Sequence, residues 1–248
     1  YARWFEKIAE TATVWGMFGI PLDAAIRKSQ WRFPLPVFRA IQYLEEHNGD
    51  EFAGIFRLSA ELSDIKRIRS VIDSERDFDP GDFIDCTLAA AVIKDYLRAL
   101  PEPLVPYSLY DEFIELRKTK KTKQFVYNLP MVNQNTMWYI FSFLQRVVEK
   151  QAINKMNVEN IATCITLSIC KRPPSSKICD LDHIQLSKQS FVCLLNDFDN
   201  AFKEIGSLNE LEGMAPPSYP IHIQVKRETL SKLMTKKKEE KRNLTKLL

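Results

Sequence analysis

Glycine and histidine are scarce in this chain, with seven Gly and three His in 248 residues. So few glycines leave little room for loops that cradle phosphate. No GxGxxG occurs, and although Gly49 and Gly54 have the spacing of a Walker A loop, Ile55-Phe56 stand where Lys and Ser/Thr are needed to hold phosphate and magnesium. The histidines (47, 183, 222) are scattered, and the five cysteines (86, 164, 170, 179, 193) include no CxxC pair, which argues against a zinc site or a Cys/His nucleophile. The odd cysteine count, with three inside apolar runs, predicts reduced, buried thiols in a cytoplasmic protein, with the nucleus also open. GxSxG and HExxH are absent. The longest apolar run, 161–170, is broken by Thr163, Thr166 and Ser168 and is too short to span a bilayer. No metal and no cofactor of the chain's own is expected. The chain starts at Tyr1 without an initiator Met or a signal-like segment, so it is expected to be a piece of a longer protein.

What is present is a globular composition, 45% apolar and 27% charged, with a lopsided charge. Residues 226–248 hold nine Lys or Arg against three Glu, a net of +6, while the whole chain is only +3. The body is therefore mildly acidic and the tail basic, which does not mark the whole chain as a nucleic-acid binder. Apolar residues recur at spacings of three, four and seven, and strict alternation is missing. Leu62–Ile72, Ala89–Leu100, Met137–Val148, Val158–Ile169 and Phe191–Ile205 each give one apolar stripe, and Val37–Leu44 a shorter one. A stripe of that kind must pack against another helix, so an all-α bundle is predicted. Breaks fall between the stripes: Pro34 and Pro36 before a helix near 37–47, Asn48-Gly49 after it, Asp79-Pro80-Gly81-Asp82, and Pro101 and Pro103. Asp85 is placed to cap the helix over 86–100. The 157–170 helix ends at Lys171-Arg172-Pro173-Pro174. Residues 1–15 read as a separate helix that closes an upstream domain, and 214–248 as a linker followed by the basic tail.

Two features do not fit a purely structural reading. Gly54-Ile55-Phe56-Arg57-Leu58-Ser59 is an apolar run with one arginine in it. Taken alone, such an arginine is ordinarily a surface residue with its stem laid on apolar neighbours. Lys94 and Arg98 lie about 100–140° around the helix from the apolar stripe, adjacent at i, i+4. Like charges at that spacing repel slightly and do nothing for the helix itself; taken alone they read as a solvated face.

In order along residues 16–205 these segments resemble the RhoGAP domain, the GTPase-activating module for Rho-family small GTPases. Phe18-Gly19-Ile20-Pro21-Leu22 resembles its opening FGxPL, and Gly54–Ser59 its GIFRxSG loop. Lys94-Asp95-Tyr96-Leu97-Arg98-Ala99-Leu100-Pro101-Glu102-Pro103-Leu104 resembles KxYxRxLPEPL. Leu129-Pro130-Met131-Val132-Asn133 with Phe143-Leu144 and Val147 resembles LPxxN…FLxxV, and Lys155-Met156 with Asn160-Ile161-Ala162 resembles KMxxxNLA. The resemblance implies an all-helical RhoGAP-like bundle over 16–213. It also implies a catalytic arginine finger, Arg57, supplied in trans to a GTPase whose own GTP and magnesium it uses. Gly54 and Ser59 belong to the finger loop. Lys94 and Arg98 map onto a basic pair beside the finger, with the Arg supporting the loop and the Lys facing the GTPase. The implied partner is a Rho/Rac-type GTPase in its GTP-bound state.

Three departures from the family pattern stand out. Ala60 replaces the Gly that closes the loop, which predicts a rearranged loop end. Asp85-Cys86-Thr87 stands in place of DxH and reads as a packing change. Thr166-Leu167-Ser168 stands where the family has GPN, whose Asn contacts the GTPase; Ser168 takes that position with shorter reach and one donor instead of two. Asn133 and Asn160 match family positions and read as packing and capping residues. The Ser168 departure motivates the alternative reading, a RhoGAP-like scaffold that binds GTPases or membranes without activating. The basic tail, with Lys236-Lys237-Lys238, reads first as a solvated terminus; an anionic membrane, nuclear import or a partner helix are the sharper options.

Overall fold

The computed structural model describes residues 16–205 apart from 30 and 76–78. Among these the chain is helical, without a strand: α1 (Leu22–Ser29), α2 (Leu35–Glu46), α3 (Leu62–Glu75), α4 (Cys86–Ala99), α5 (Tyr110–Thr119), α6 (Thr122–Asn128), α7 (Met131–Glu149), α8 (Gln151–Asn154), α9 (Val158–Ile169), α10 (Asp180–Asn196) and α11 (Phe198–Ala201). The expected helix over 1–15, the end of the bundle to 213 and the linker and tail over 214–248 lie outside the described residues.

The helix starts follow from side-chain chemistry. Asp85 Oδ1 accepts the Leu88 N–H at 2.8 Å and opens α4, and Asn157 Oδ1 accepts the Asn160 N–H at 2.9 Å and opens α9. At α10 the cap is a sulfur, Cys179 Sγ, which accepts the Asp182 N–H at 3.4 Å. Helix α2 begins two residues earlier than predicted. Pro36 lies in its first turn, where the missing N–H costs nothing.

Helix α4 runs through the middle of the bundle. Leu88, Ala89, Ile93, Tyr96 and Leu97 are fully buried, with α2 along one side and α3 and α9 on the others. Each large apolar side chain removed from water contributes about 1.5–3 kcal/mol, the term that opposes chain entropy. Helix α9 packs on α10, and α10 on α5. Phe141 of α7 meets Phe191 at 4.9 Å and Phe202 at 5.7 Å between ring centroids.

The stripe Phe191–Ile205 is not one helix. Asp197 ends α10, its carboxylate accepting the Thr122 hydroxyl of α6 and the Asn200 amide at 3.0 Å, and the short α11 follows. Phe202 and Ile205 stay buried beyond the break. The thiols also depart from expectation: all five are free, but only Cys86 and Cys170 are buried, Cys164 and Cys193 are half-buried, and Cys179 is exposed. Burial pushes the Cys170 thiol up to about 12.

Candidate functional site

The loop between α2 and α3 has a buried run, Gly54-Ile55-Phe56, followed by an exposed one, Arg57-Leu58-Ser59. Ile55 and Phe56 are each 1% exposed, and Phe56 meets Phe143 of α7 edge-on at 6.3 Å. These two act as plugs that fasten the loop to the bundle. Arg57, Leu58 and Ser59 then project to solvent. The backbone turns tightly to allow this. Gly54 takes φ +76 and Phe56 takes φ +65, and the Arg57 and Leu58 N–H groups both donate to the Gly54 carbonyl, at 2.9 and 3.0 Å. A left-handed phenylalanine is a strained residue, at a cost of about 1–2 kcal/mol, so its surroundings must hold it there.

Two groups do so. Lys94 Nζ, reaching from α4, donates to the Phe56 carbonyl at 2.5 Å. Asn154, at the end of α8 and fully buried, works through both its backbone and its amide. Its carbonyl accepts the Gly54 N–H at 2.8 Å, its Nδ2 donates to the carbonyls of Asp50 and Val147, both at 2.6 Å, and its Oδ1 accepts the Met156 N–H at 2.7 Å. Asn154 thereby joins both limbs of the loop to the end of α7. Lys155 beside it takes φ +63 to make the turn.

The electrostatics are one-sided. Burial lowers the Lys94 pKa; nearby Cys164 opposes that shift and Arg98 adds to it. Burial raises the Cys164 thiol, against the pull of Lys94 and Arg57. Arg57, Lys94, Arg98 and Cys164 therefore share one local field. Neither arginine has an acidic partner among the described residues. The nearest carboxylate on α4, Asp95, is engaged by Arg69 at 3.7 Å. Three cations thus lie together without a carboxylate partner among the described residues, with one guanidinium at the tip of the loop.

The family model for the RhoGAP domain matches residues 34–174, more than half of the chain. The chain belongs to the RhoGAP domain family. It is 34% identical over 165 residues to Rho GTPase-activating protein gacY of Dictyostelium discoideum, covering 62% of this chain and 23% of that protein. It is 27% identical over 209 residues to human Rho GTPase-activating protein 24, covering 78% of this chain and 27% of that protein. The chain thus spans about a quarter of the length of these relatives. The crystal structure of human Rho GTPase activating protein 15 superposes with a TM-score of 0.72 at 24% identity, over 79% of this chain and 97% of that one, a likeness of fold.

Within this RhoGAP fold the structure brings Gly54, Arg57, Lys94 and Arg98 together and leaves Ser168 apart. Ser168 is 3% exposed. Seven residues after Ile161, it returns to the same stripe of α9, and the outward positions near the helix end are Thr163 and Leu167. As it stands, Ser168 does not face a partner. Within the basic pair it is Lys94, not Arg98, that is hydrogen-bonded to the Gly54–Ser59 loop, and Arg98 is exposed. Arg98 is set by the end of α4, where Lys171 Nζ donates to the carbonyls of Arg98 and Leu100 at 2.8 and 2.9 Å. Ser59 is exposed and makes no hydrogen bond to a described residue. Ala60 does not carry the positive φ; the strain sits at Phe56 instead. Asn133 and Asn160 are structural, as expected, donating to the carbonyls of Leu104 at 2.9 Å and Lys155 at 3.2 Å. Asn154 went unnoticed in the sequence, although its place immediately before Lys155-Met156 was a signal within reach.

Proposed function

We propose that this chain is a GTPase-activating module for a Rho-family small GTPase, and that Arg57 is the finger it inserts into the GTPase's nucleotide pocket. The observation that carries the reading is the exposed, acid-free guanidinium of Arg57 at the tip of a loop whose every other anchor is buried or hydrogen-bonded. The named relatives are Rho GTPase-activating proteins, which supports the partner class. GTP and magnesium belong to the GTPase. As the γ-phosphoryl leaves, charge builds on its oxygens and on the leaving oxygen. The planar guanidinium donates to both, in a pocket that its own stem and Leu58 help to dry. A finger of this kind is worth about 10³–10⁵ in rate. The cationic field of Lys94 and Arg98 steers an acidic GTPase surface toward the loop.

Arg57→Ala is expected to lower stimulated GTP hydrolysis by at least about 100-fold in single turnover, with the melting transition unchanged. Full stimulation by the variant would remove Arg57 from the chemistry. A second reading, a scaffold that docks GTPases without activating them, is favoured by buried Ser168, which leaves no amide facing outward at the end of α9. Phosphate release from a panel of Rho- and Rac-type GTPases separates the two, because the scaffold binds without accelerating any of them.

A further inference from the structure

The turn joining α5 to α6 carries Arg117, Lys118, Lys120, Lys121 and Lys123, five cations in seven residues, and none of them contributes to the finger loop or its supports. The backbone explains their presentation. Lys120 takes φ +56 and closes α5, its N–H donating to the Leu116 carbonyl at 2.9 Å, so the chain reverses there. Thr122 is 1% exposed and its hydroxyl is held by Asp197, which anchors the turn and leaves Lys120, Lys121 and Lys123 in solvent.

Local acids occupy part of the patch. Glu115 reaches Lys118 at 3.0 Å and Arg117 at 3.9 Å, and Glu204 reaches Lys123 at 2.8 Å. The two lysine pairs are exposed and exchange readily for other anions, whereas Arg117 is half-buried. Lys120 and Lys121 have no carboxylate partner among the described residues. Lys120, Lys121, Lys123 and Tyr127 line one depression of about 640 Å³ together with Gln124, Asn200 and the Glu204 carboxylate that Lys123 neutralises, and Tyr127 is 72% exposed. Gln134 holds the following corner, its amide donating to the carbonyls of Tyr127 at 3.2 Å and Leu129 at 2.7 Å, and Met131 in that corner is 74% exposed.

Dense lysines beside an outward tyrosine and methionine combine charge for lipid phosphates with side chains that enter the interfacial layer. A single-stranded nucleic acid asks for successive aromatic platforms, and here Tyr127 stands alone. A helical peptide asks for a row of apolar anchors, and the lining of this depression offers one large apolar side chain, Tyr127, among charged and amide groups. We propose that the α5–α6 turn is a docking surface for an anionic membrane, with the lysines on headgroup phosphates and Tyr127 and Met131 at the interface. The site is separate from the finger and does not depend on the GTPase reading.

The test uses the full chain on vesicles of phosphatidylcholine with and without phosphatidylserine. For Lys120→Ala/Lys121→Ala/Lys123→Ala the expected loss of partitioning onto anionic vesicles is about fivefold per lysine, on the order of 100-fold together, shrinking as salt is raised. The melting transition and GTPase stimulation in solution should not change. Tyr127→Ser should weaken binding at both low and high salt. Unchanged partitioning of the triple variant overturns the proposal. So does a loss confined to Lys236→Ala/Lys237→Ala/Lys238→Ala in the tail, equal binding to neutral vesicles, or tighter binding of soluble inositol hexakisphosphate or an RNA oligonucleotide than of vesicles.

Discussion

The Gly54–Ser59 loop exposes one guanidinium with the backbone beneath it held by Lys94 and Asn154, whereas the α5–α6 turn exposes several ammonium groups over the buried Thr122. The first arrangement is what placing a charge on a reacting group demands. Stabilisation of a transition state depends on position to a fraction of an ångström, and fixing the loop beforehand removes that cost from the encounter. The second is what adhesion demands, where the sum of charges near a surface matters and the geometry of each does not. On the two proposed readings, cationic surface alone does not distinguish catalysis from attachment; the state of the backbone beneath it does.

The sharpest way to break this comparison is to neutralise one cation in each segment. Arg57→Ala should cost about 100-fold or more in stimulated hydrolysis, while Lys120→Ala should leave it unchanged in solution. Comparable losses from the two would mean that charge density, and not placement, drives the activity.

Next comes the loop's buried anchor. Asn154→Ala removes three side-chain hydrogen bonds in a fully buried place, a cost of about 2–4 kcal/mol in stability, and frees the carbonyl that holds Gly54 to shift. The stimulated rate at saturating GTPase should fall by about tenfold or more, with a smaller change in the GTPase concentration giving half-maximal effect. Asn154→Asp, which keeps the acceptor and loses the donors, should lie between. A variant that loses stability but keeps the full saturating rate would make Asn154 a structural residue only.

Lys94→Met should follow. It keeps most of the stem and loses the donor to Phe56, worth about 1.5–3 kcal/mol for a charged donor, in a loop already strained at that residue. About a tenfold loss in the saturating rate is expected; a pure loss of affinity would restore Lys94 to the partner-facing role that the family resemblance assigns to it.

How much of this the residues announced in advance depends on the range of the interaction. Apolar spacing located α2, α3, α4, α7, α9 and α10 but not α1, α5 or α6, and Asp85 marked the start of α4, because both signals are local. The break at Asp197 was hidden, since its cause is a hydroxyl on Thr122, distant in the chain. The motif singles out Arg57 but carries no sign of what holds its loop. The bond from Lys94 to Phe56 and the Asn154 network join segments that only the packed bundle brings together, and a left-handed phenylalanine has no sequence signature. Ser168 is the opposite case. Its place on the Ile161 stripe was available from helical spacing, yet the family pattern pointed it outward. Ser168→Asn, which would repair the motif, should instead force a larger amide into a packed position, costing about 1–3 kcal/mol and lowering the melting temperature without gain in GTPase affinity. Tighter binding with an unchanged melting temperature would return that position to the interface.

The smallest expected effect separates the two cations of the basic pair by their screening. Arg98 is exposed, so on the proposed reading its expected contribution is long-range attraction that acts before contact. The Debye length is about 10 Å at 0.1 M salt and about 3 Å at 1 M. Arg98→Ala should therefore slow association with an acidic GTPase by about two- to fivefold at low ionic strength, and the deficit should vanish as salt rises. Lys94, half-buried and bonded to a carbonyl, is shielded from mobile ions, so the deficit of Lys94→Met should persist at both salt concentrations. Stopped-flow association and single-turnover hydrolysis across a salt series measure the two deficits side by side. If both fade together, Lys94 acts through space like Arg98, and the tied loop loses one of its two supports.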